Sequence, residues 1–228
     1  MTNQQKVGVI IVAAGESQRM GGVDKVLALL GGKPVLTRVV DAFQRCNSIN
    51  QIVIVLSEQN LERGQQLVAE QSWAKVTEVC LGGERRQDSV SCGLSRLTNC
   101  RWVVIHDGVR PLVTMDLINR GLEAVRETGA AVAAVPVTDT IKVAEDNRIV
   151  HQTLPRQNLW AVQTPQVFSI KIIKEAYSRV TGDMTDDASL VEQLGYKVKL
   201  YMGAYDNIKI TTPDDLVLAE WMLYHKRV

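Results

Sequence analysis

The feature that most limits the possible folds is a series of five short apolar runs, rich in β-branched residues, separated by segments of helical spacing. The runs are mostly continuous, which is typical of strands buried on both faces of a parallel sheet. They occupy residues 7–12, 52–56, 76–81, 102–106 and 130–135. The helical segments between them are residues 34–46, 58–71, 88–97 and 115–128. This alternation predicts an α/β fold, a mostly parallel sheet with helices on both faces.

The alternation breaks at residues 136–166, where polar and apolar residues alternate around a central Glu-Asp-Asn turn. This pattern predicts a β-arm at about residues 137–160, followed by an extended return. Such an arm either covers its own site or reaches a second subunit. The remainder predicts helices at 169–179, 186–194 and 213–224 and a strand at 197–202. A length of 228 residues favours one domain spanning residues 1–228.

Composition excludes several classes of function. The net charge is +1 and no dense Lys/Arg block occurs, which argues against a nucleic-acid partner. No run approaches the roughly 18 apolar residues of a membrane span, and no signal peptide is evident. We therefore expect a cytoplasmic protein, or one in an organelle such as the plastid if eukaryotic. Four cysteines without a C-x-x-C pair and three histidines favour reduced, buried thiols over zinc.

The loops that follow the strands are where an open α/β sheet binds ligands. The first combines the small residues Ala13, Ala14 and Gly15 with the cations Arg19 and Lys25. Small residues let backbone N–H groups approach an anion, and the two cations can clamp a triphosphate. The G-x-G-x-x-G and P-loop patterns both fail here, so a different nucleotide loop is implied. The alternative is two solvated surface cations.

Two further loops carry candidate ligands. Gly82 and Gly83 permit close contact with a flat base, whose edge Ser89 can hydrogen-bond; the alternative is an ordinary turn before a helix. Asp107 ends the next strand, where its carboxylate suits Mg²⁺ carried by a triphosphate. Arg110 follows and can hold a substrate phosphate. The alternative for this pair is a local ion pair.

A fourth group of polar residues is scattered along the second half of the chain. Several loops supply the hydroxyls and cations that a short phosphorylated substrate needs, although each alone is also typical of a solvated side chain. The group includes Thr140, Arg156, Thr185 and Lys209.

In order, these segments resemble one family, the 2-C-methyl-D-erythritol 4-phosphate cytidylyltransferases of the non-mevalonate isoprenoid pathway. The resemblance spans about residues 9–218. It is carried by AAGESQRM followed by DK, then GGERRQDSV, HDGVRP, PVTDTIK, RQNLWAVQTPQ, TDDAS and DNIKITTPDDL. Ser17 stands where a glycine is frequent, and Asp24 where proline or asparagine is frequent, which affects only the conformation of the first loop.

The resemblance implies a nucleotidyltransferase-type, Rossmann-like fold and a homodimer joined through the arm. It also implies transfer of CMP from CTP to methylerythritol phosphate, with Mg²⁺ as the cofactor and Asp107 as its ligand. Catalytic roles fall on Arg19, Lys25, Arg156 and Lys209, with Arg156 supplied by the neighbouring subunit. The implied CTP-binding residues are Ala13, Ala14, Gly15, Gly83, Ser89 and Asp107, and the implied substrate-binding residues are Asp107, Arg110, Thr140, Arg156, Thr185 and Lys209.

Two other functions fit parts of the pattern. A ribitol 5-phosphate cytidylyltransferase shares the first loop, HDGVRP and the QTPQ segment, but PVTDTIK and DNIK favour methylerythritol phosphate. A non-catalytic nucleotide-binding protein on the same fold would not require the cations that are present.

Overall fold

The structure, a computed structural model, describes residues 6–15 and 24–225. Its strands are β1 (Val7–Ala13), β2 (Leu29–Leu30), β3 (Lys33–Pro34), β4 (Gln51–Leu56), β5 (Val76–Leu81), β6 (Trp102–Asp107), β7 (Ala130–Pro136), β8 (Lys142–Ala144), β9 (Val150–Thr153), β10 (Trp160–Ser169) and β11 (Lys199–Met202). Its α-helices are α1 (Val35–Arg45), α2 (Glu58–Gln71), α3 (Arg86–Arg96), α4 (Met115–Thr128), α5 (Ile170–Arg179), α6 (Asp187–Gln193) and α7 (Pro213–His225).

Seven strands form the central sheet, in the order β11-β7-β10-β6-β1-β4-β5. β1 pairs in parallel with β4 and β6, β4 pairs in parallel with β5, and β7 pairs in parallel with β11. β10 alone runs antiparallel, between β6 and β7. The prediction of a mostly parallel sheet is confirmed, whereas the extended return of the arm proves to be a full strand of that sheet.

Alternate residues of the buried strands face two separate cores, as the pleat requires. Val9 and Ile11 of β1 join one core with α1, α2, α4 and α7, while Ile10 joins the other with α3, α5 and α6. All three side chains are fully buried. Helices therefore cover both faces, as predicted.

The predicted arm is a small hairpin, β8 paired antiparallel with β9, and it forms a sheet of its own. Its apolar side chains Val143, Ile149 and Val150 are 39%, 63% and 54% exposed. A second hairpin, β2–β3, was not predicted. Its two-residue turn is Gly31-Gly32, and both glycines have positive φ, which favours glycine in tight hairpin turns.

The described chain contains no helix long and apolar enough to cross a membrane. All four cysteines are free thiols, as predicted; Cys46 and Cys80 are buried, but Cys92 and Cys100 are only half-buried.

Candidate active site

Two adjoining cavities lie at the carboxyl ends of the parallel strands. The first, here called the β1 cavity, has a volume of about 190 Å³ and the second, the β10 cavity, about 430 Å³. Residues lining the β1 cavity include Ala13, Ala14, Gly15, Lys25, Gly83 and Ser89. Residues lining the β10 cavity include Arg110, Gln163, Thr164, Gln166, Thr185 and Leu200. Arg86, Asp107 and Lys209 line both, so they form the junction between the cavities.

The wall of the β1 cavity is built by close contact between two loops. A side chain at Gly82 would clash with Ala14 and with the Ser89 hydroxyl, and one at Gly83 would clash with Asp88. The Gly83 amide donates to Ser89 Oγ at 3.2 Å. The glycines are therefore needed for the approach of the loops, and the loops present backbone to the cavity as the first-loop and second-loop sequences predict.

Asp107, at the end of β6, is the charge centre of the junction. Its side chain is 8% exposed and lies 3.0 Å from Lys209 Nζ, 3.4 Å from Arg110 Nε and 3.5 Å from Arg86 Nε. Burial alone would raise the pKa of the Asp107 carboxyl, but the charges of Lys209, Arg86 and Arg110 outweigh it and hold that pKa well below its usual range. The ion pair with Arg110, which the sequence offered as the alternative to ligand binding, is present as part of a larger cluster. The excess positive charge of that cluster suits phosphates.

Behind Asp107, a buried hydrogen-bond network fixes the loop that follows β6. Thr164 Oγ1 accepts from the Asp107 backbone N–H at 3.1 Å and contacts His106 Nδ1 at 3.0 Å. The Arg110 carbonyl, 3.2 Å from Nε2, can only accept, so Nε2 carries the proton of the neutral ring and Nδ1 accepts from the Thr164 hydroxyl. Burial lowers the pKa of His106 to about 4, so this imidazole is neutral at pH 7.

The loop between β11 and α7 places Lys209 in the junction. The Arg110 guanidinium donates to the Asn207 carbonyl at 2.8 Å, and the Asn207 amide donates to the Thr164 carbonyl at 2.8 Å. The Ile210 amide donates to the Val109 carbonyl at 2.9 Å. Three loops distant in sequence are thus tied together, which brings Lys209 to Asp107.

Arg86, the first residue of α3, belongs to the site, and the sequence alone does not identify it. The adjacent Arg85 faces outward, where it binds Asp88 and Asp183 at 2.8 Å, whereas Arg86 faces the junction. The sequence signal for this residue is the second arginine of GGERRQDSV. Which of the two neighbouring arginines faces the cavities cannot be predicted until the first residue of the helix is known.

Most predicted site residues are brought together, and two are not. Ala13, Ala14, Gly15, Lys25, Gly83, Ser89, Asp107, Arg110, Thr185 and Lys209 all line one or both cavities. In the described part of the chain, Thr140 and Arg156 line neither of these cavities; both are exposed, and Arg156 Nη1 donates to the Thr138 carbonyl at 2.7 Å. Arg19 lies outside the described residues.

Comparison with known proteins adds the family to this geometry. The family model for 2-C-methyl-D-erythritol 4-phosphate cytidylyltransferase (IspD) matches residues 7–225. A protein of that name from Dehalococcoides mccartyi is 54% identical over 219 residues, which cover 96% of each chain.

Solved structures agree with this match. The crystal structure of 4-diphosphocytidyl-2C-methyl-D-erythritol synthase from Anaerococcus prevotii superposes with a TM-score of 0.87 at 31% identity, over 97% of both chains. The 2-C-methyl-D-erythritol 4-phosphate cytidylyltransferase from Thermus thermophilus superposes with a TM-score of 0.79 at 33% identity, over 96% of this chain and 100% of that one. Together with the two cavities that meet at a cationic junction, these matches show that the chain belongs to the 2-C-methyl-D-erythritol 4-phosphate cytidylyltransferase family.

Proposed function

We propose that this enzyme transfers CMP from CTP to 2-C-methyl-D-erythritol 4-phosphate and releases pyrophosphate, with CTP in the β1 cavity and the alcohol phosphate in the β10 cavity. The observation that carries this arrangement is the shared junction of Arg86, Asp107 and Lys209. Two phosphorylated substrates, one in each cavity, would meet there. A cytoplasmic or plastid location and the absence of nucleic-acid and membrane partners stay predictions.

The reaction needs alignment and charge neutralisation more than proton transfer. An oxygen of the methylerythritol phosphate attacks the α-phosphorus of CTP. A new P–O bond forms, the bond from the α-phosphorus to the bridging oxygen breaks, and pyrophosphate leaves with that electron pair. Because a phosphate monoester is already anionic near neutral pH, no strong general base is required. Lys25, with Arg19, would stabilise the charge on CTP, and Lys209 would align the attacking phosphate.

The chemistry of Asp107 fits a metal that arrives with the nucleotide. The described residues contain no group of three or more His, Cys, Asp or Glu side chains able to hold a metal alone. Mg²⁺ on a triphosphate usually needs only one or two protein carboxylates, because phosphate oxygens and water supply its other ligands. Asp107 Oδ2 lies 3.0 Å from Lys209 and 3.4 Å from Arg110, whereas Oδ1 lies farther from its cation, at 3.5 Å from Arg86. Oδ1 is therefore the oxygen better suited to Mg²⁺. The ion would neutralise phosphate charge.

The arm supports a homodimer in which each active site contains residues of both subunits. An isolated two-stranded hairpin is marginally stable in water, and this one exposes Val143, Ile149 and Val150. A second subunit would cover these side chains. Such an arrangement would also give Arg156 and Thr140, which line neither cavity of their own chain in the described residues, a site in the partner.

The substrate assignment is tested by pyrophosphate release. Wild-type enzyme is assayed with CTP and other nucleoside triphosphates against methylerythritol phosphate and ribitol 5-phosphate. We expect turnover to require CTP and methylerythritol phosphate. Preference for ribitol 5-phosphate, or no release with any pair, would contradict the proposal.

The role of Lys25 is tested with a matched lysine. Lys25→Ala should lower kcat by roughly 10²-fold or more, since it removes a charge that acts on the transferred phosphates. Lys33→Ala, which removes a half-exposed surface lysine paired with Asp41 at 3.5 Å, should leave kcat unchanged. Wild-type turnover by folded Lys25→Ala would refute the role.

Supply of Arg156 by the partner is tested by mixing two inactive variants. Arg156→Ala and Lys25→Ala, mixed in equal amounts and allowed to exchange subunits, would form heterodimers with one intact site each. Random exchange predicts recovery of about a quarter of the wild-type activity. If Arg156 acts within its own chain, no activity returns, even where light scattering shows that heterodimers have formed.

A further inference from the structure

Arg86 is held between two carboxylates at the boundary of the two cavities. Its Nη1 lies 2.8 Å from Asp187 Oδ2, and its Nε lies 3.5 Å from Asp107 Oδ1. The side chain is 27% exposed although both of its carboxylate partners are buried. Arg86 also lines both cavities, so its charged, planar guanidinium is accessible to a ligand in the junction.

Asp187, the first residue of α6, faces this arginine through Oδ2, and the contact is an ion pair without hydrogen-bond alignment among the described residues. Its side chain is 1% exposed, and its other oxygen, Oδ1, accepts from the Tyr177 hydroxyl at 2.6 Å. The preceding residue, Asp186, points elsewhere: it caps α6 through the Ser189 amide at 3.0 Å and accepts from Gln166 at 2.9 Å. Capping of the helix therefore does not require Asp187, and a fully buried carboxylate beside the cavities calls for another explanation.

The charges at the junction show what Asp187 does. Arg86, Arg110 and Lys209 all contact Asp107, and one carboxylate cannot orient three cations once phosphates compete for them. Arg110 lies on the loop of residues 107–110, and Lys209 lies on the loop of residues 206–210. Arg86 comes from a different element, α3, and its ion pair with Asp187 is the contact that would remain if a ligand or metal drew Asp107 away. A buried partner restricts the rotamers of the arginine and so pre-organises it.

We propose that Arg86 is a further catalytic residue, contacting the transferred phosphoryl group in the junction, and that Asp187 is the positioning residue that holds the Arg86 guanidinium there. The proposal rests on the cytidylyl transfer proposed above. Charge develops on the oxygens of the α-phosphorus during attack, and a fixed arginine aimed at that position stabilises the transition state more than the ground state. Tyr177, bound to the far oxygen of Asp187, keeps the carboxylate in place.

The test compares Arg86→Gln, Asp187→Asn and the double variant, with kcat and both KM values measured by pyrophosphate release. Arg86→Gln should lower kcat by roughly 10²-fold with smaller changes in KM, as expected for a donor that acts on developing charge. Asp187→Asn should lower kcat about 10-fold in the wild-type background but less than about 2-fold in the Arg86→Gln background, because the two act as one unit. Arg63→Gln, which breaks an exposed pair with Glu70 at 2.6 Å on α2, is the matched control and should change neither constant.

The same set of variants also contains the control for loss of folding. Arg86→Gln alone leaves a buried carboxylate without its cation and is the variant at risk of unfolding. The double variant removes both charges, and its kcat carries the test if the single variant does not fold. Urea midpoints are measured for each protein.

Two results would overturn the proposal. One is a folded double variant whose kcat lies within about threefold of the wild-type value. The other is a decrease in kcat on Asp187→Asn that is equal in the wild-type and Arg86→Gln backgrounds, because Asp187 would then act only on the fold. Failure of the wild type to release pyrophosphate would instead refute the proposed function itself, so the two failures are distinct.

Discussion

Thr164→Val is the perturbation with the clearest magnitude, because it removes one hydroxyl from the network behind Asp107 and keeps the shape of the side chain. Thr164 is 4% exposed, and its hydroxyl bonds both the Asp107 backbone N–H and His106 Nδ1. Valine leaves both of these buried groups without a partner. At about 1–3 kcal/mol for each unsatisfied group, the free energy of unfolding should fall by roughly 2–6 kcal/mol.

The assay is equilibrium unfolding in urea, followed by tryptophan fluorescence and circular dichroism, without nucleotide or divalent cations. Thr164→Ser is the matched control, because serine keeps the hydroxyl and loses only a methyl group, worth about 1 kcal/mol. We also expect Thr164→Val to lower kcat/KM by at least 10-fold, since the backbone that carries Asp107 is no longer held and small displacements of catalytic groups are costly.

Two outcomes would refute this reasoning. One is a Thr164→Val protein whose free energy of unfolding lies within about 1 kcal/mol of the wild type at an unchanged m-value. The other is a Thr164→Ser protein as destabilised as the valine variant, because the loss would then come from packing and not from the hydroxyl.

Three further predictions concern single contacts. The pKa of His106 is about 4 in the folded protein and 6.5 in the reference state, so between these pH values the unfolded chain binds one proton more than the folded chain. The free energy of unfolding should therefore fall by on the order of 3 kcal/mol as pH drops from 6.5 to 4 in metal-free buffer. Urea unfolding of His106→Gln should lack this pH-dependent loss. Gly83→Ala should raise KM for CTP roughly 10-fold in steady-state kinetics, with kcat less affected, because the new side chain clashes with Asp88 and moves the wall of the β1 cavity. Asp215→Ala should lower the free energy of unfolding by about 1–2 kcal/mol in urea at pH 7. The reason is that Asp215 Oδ2 accepts hydrogen bonds from the backbone N–H groups of Thr211 and Thr212 at 2.8 Å, at the start of α7. A loss of the same size for Asp214→Ala would argue against a capping role of Asp215.

The strands and helices could be predicted from the sequence because their signals are local. Continuous β-branched runs such as residues 52–56 are buried on both faces where they lie inside the sheet, and the helical segments carry one apolar face each. The prediction of a fully buried strand was wrong for residues 76–81, because this run is the edge strand β5 and only Cys80 of it is buried. The direction of β10 could not be predicted in this way. Its sequence is extended in either orientation, and pairing with β6 and β7 depends on residues distant in sequence, the nearest pair being Trp160 and Pro136.

The candidate site was predictable as a set of loops but not as a geometry. Asp107 was recognisable because it ends a strand, yet its three cations come from positions 86, 110 and 209, and only Arg110 is near in sequence. Asp187 is the harder case. In TDDAS either aspartate can cap the helix, and only the fold shows that Asp186 does so while Asp187 turns inward to Arg86.

The reversed strand also explains why the arm and the active site belong to the same edge of the sheet. β7 ends at Pro136 at the carboxyl edge of the parallel strands, and the chain then forms the arm and returns as β10. An antiparallel strand can start at the edge where its predecessor ended, whereas a parallel one would require a crossover to the opposite edge. Because β10 runs back from that edge, Thr164 in the middle of β10 meets Asp107 at the end of β6. β10, the single antiparallel strand of the seven-stranded sheet, thus holds the loop after β6 with one side chain and directly follows the arm in the chain. A deletion of residues 140–154 closed by a short turn should therefore keep the fold and the Thr164 contact but abolish turnover, if the arm completes the partner's site.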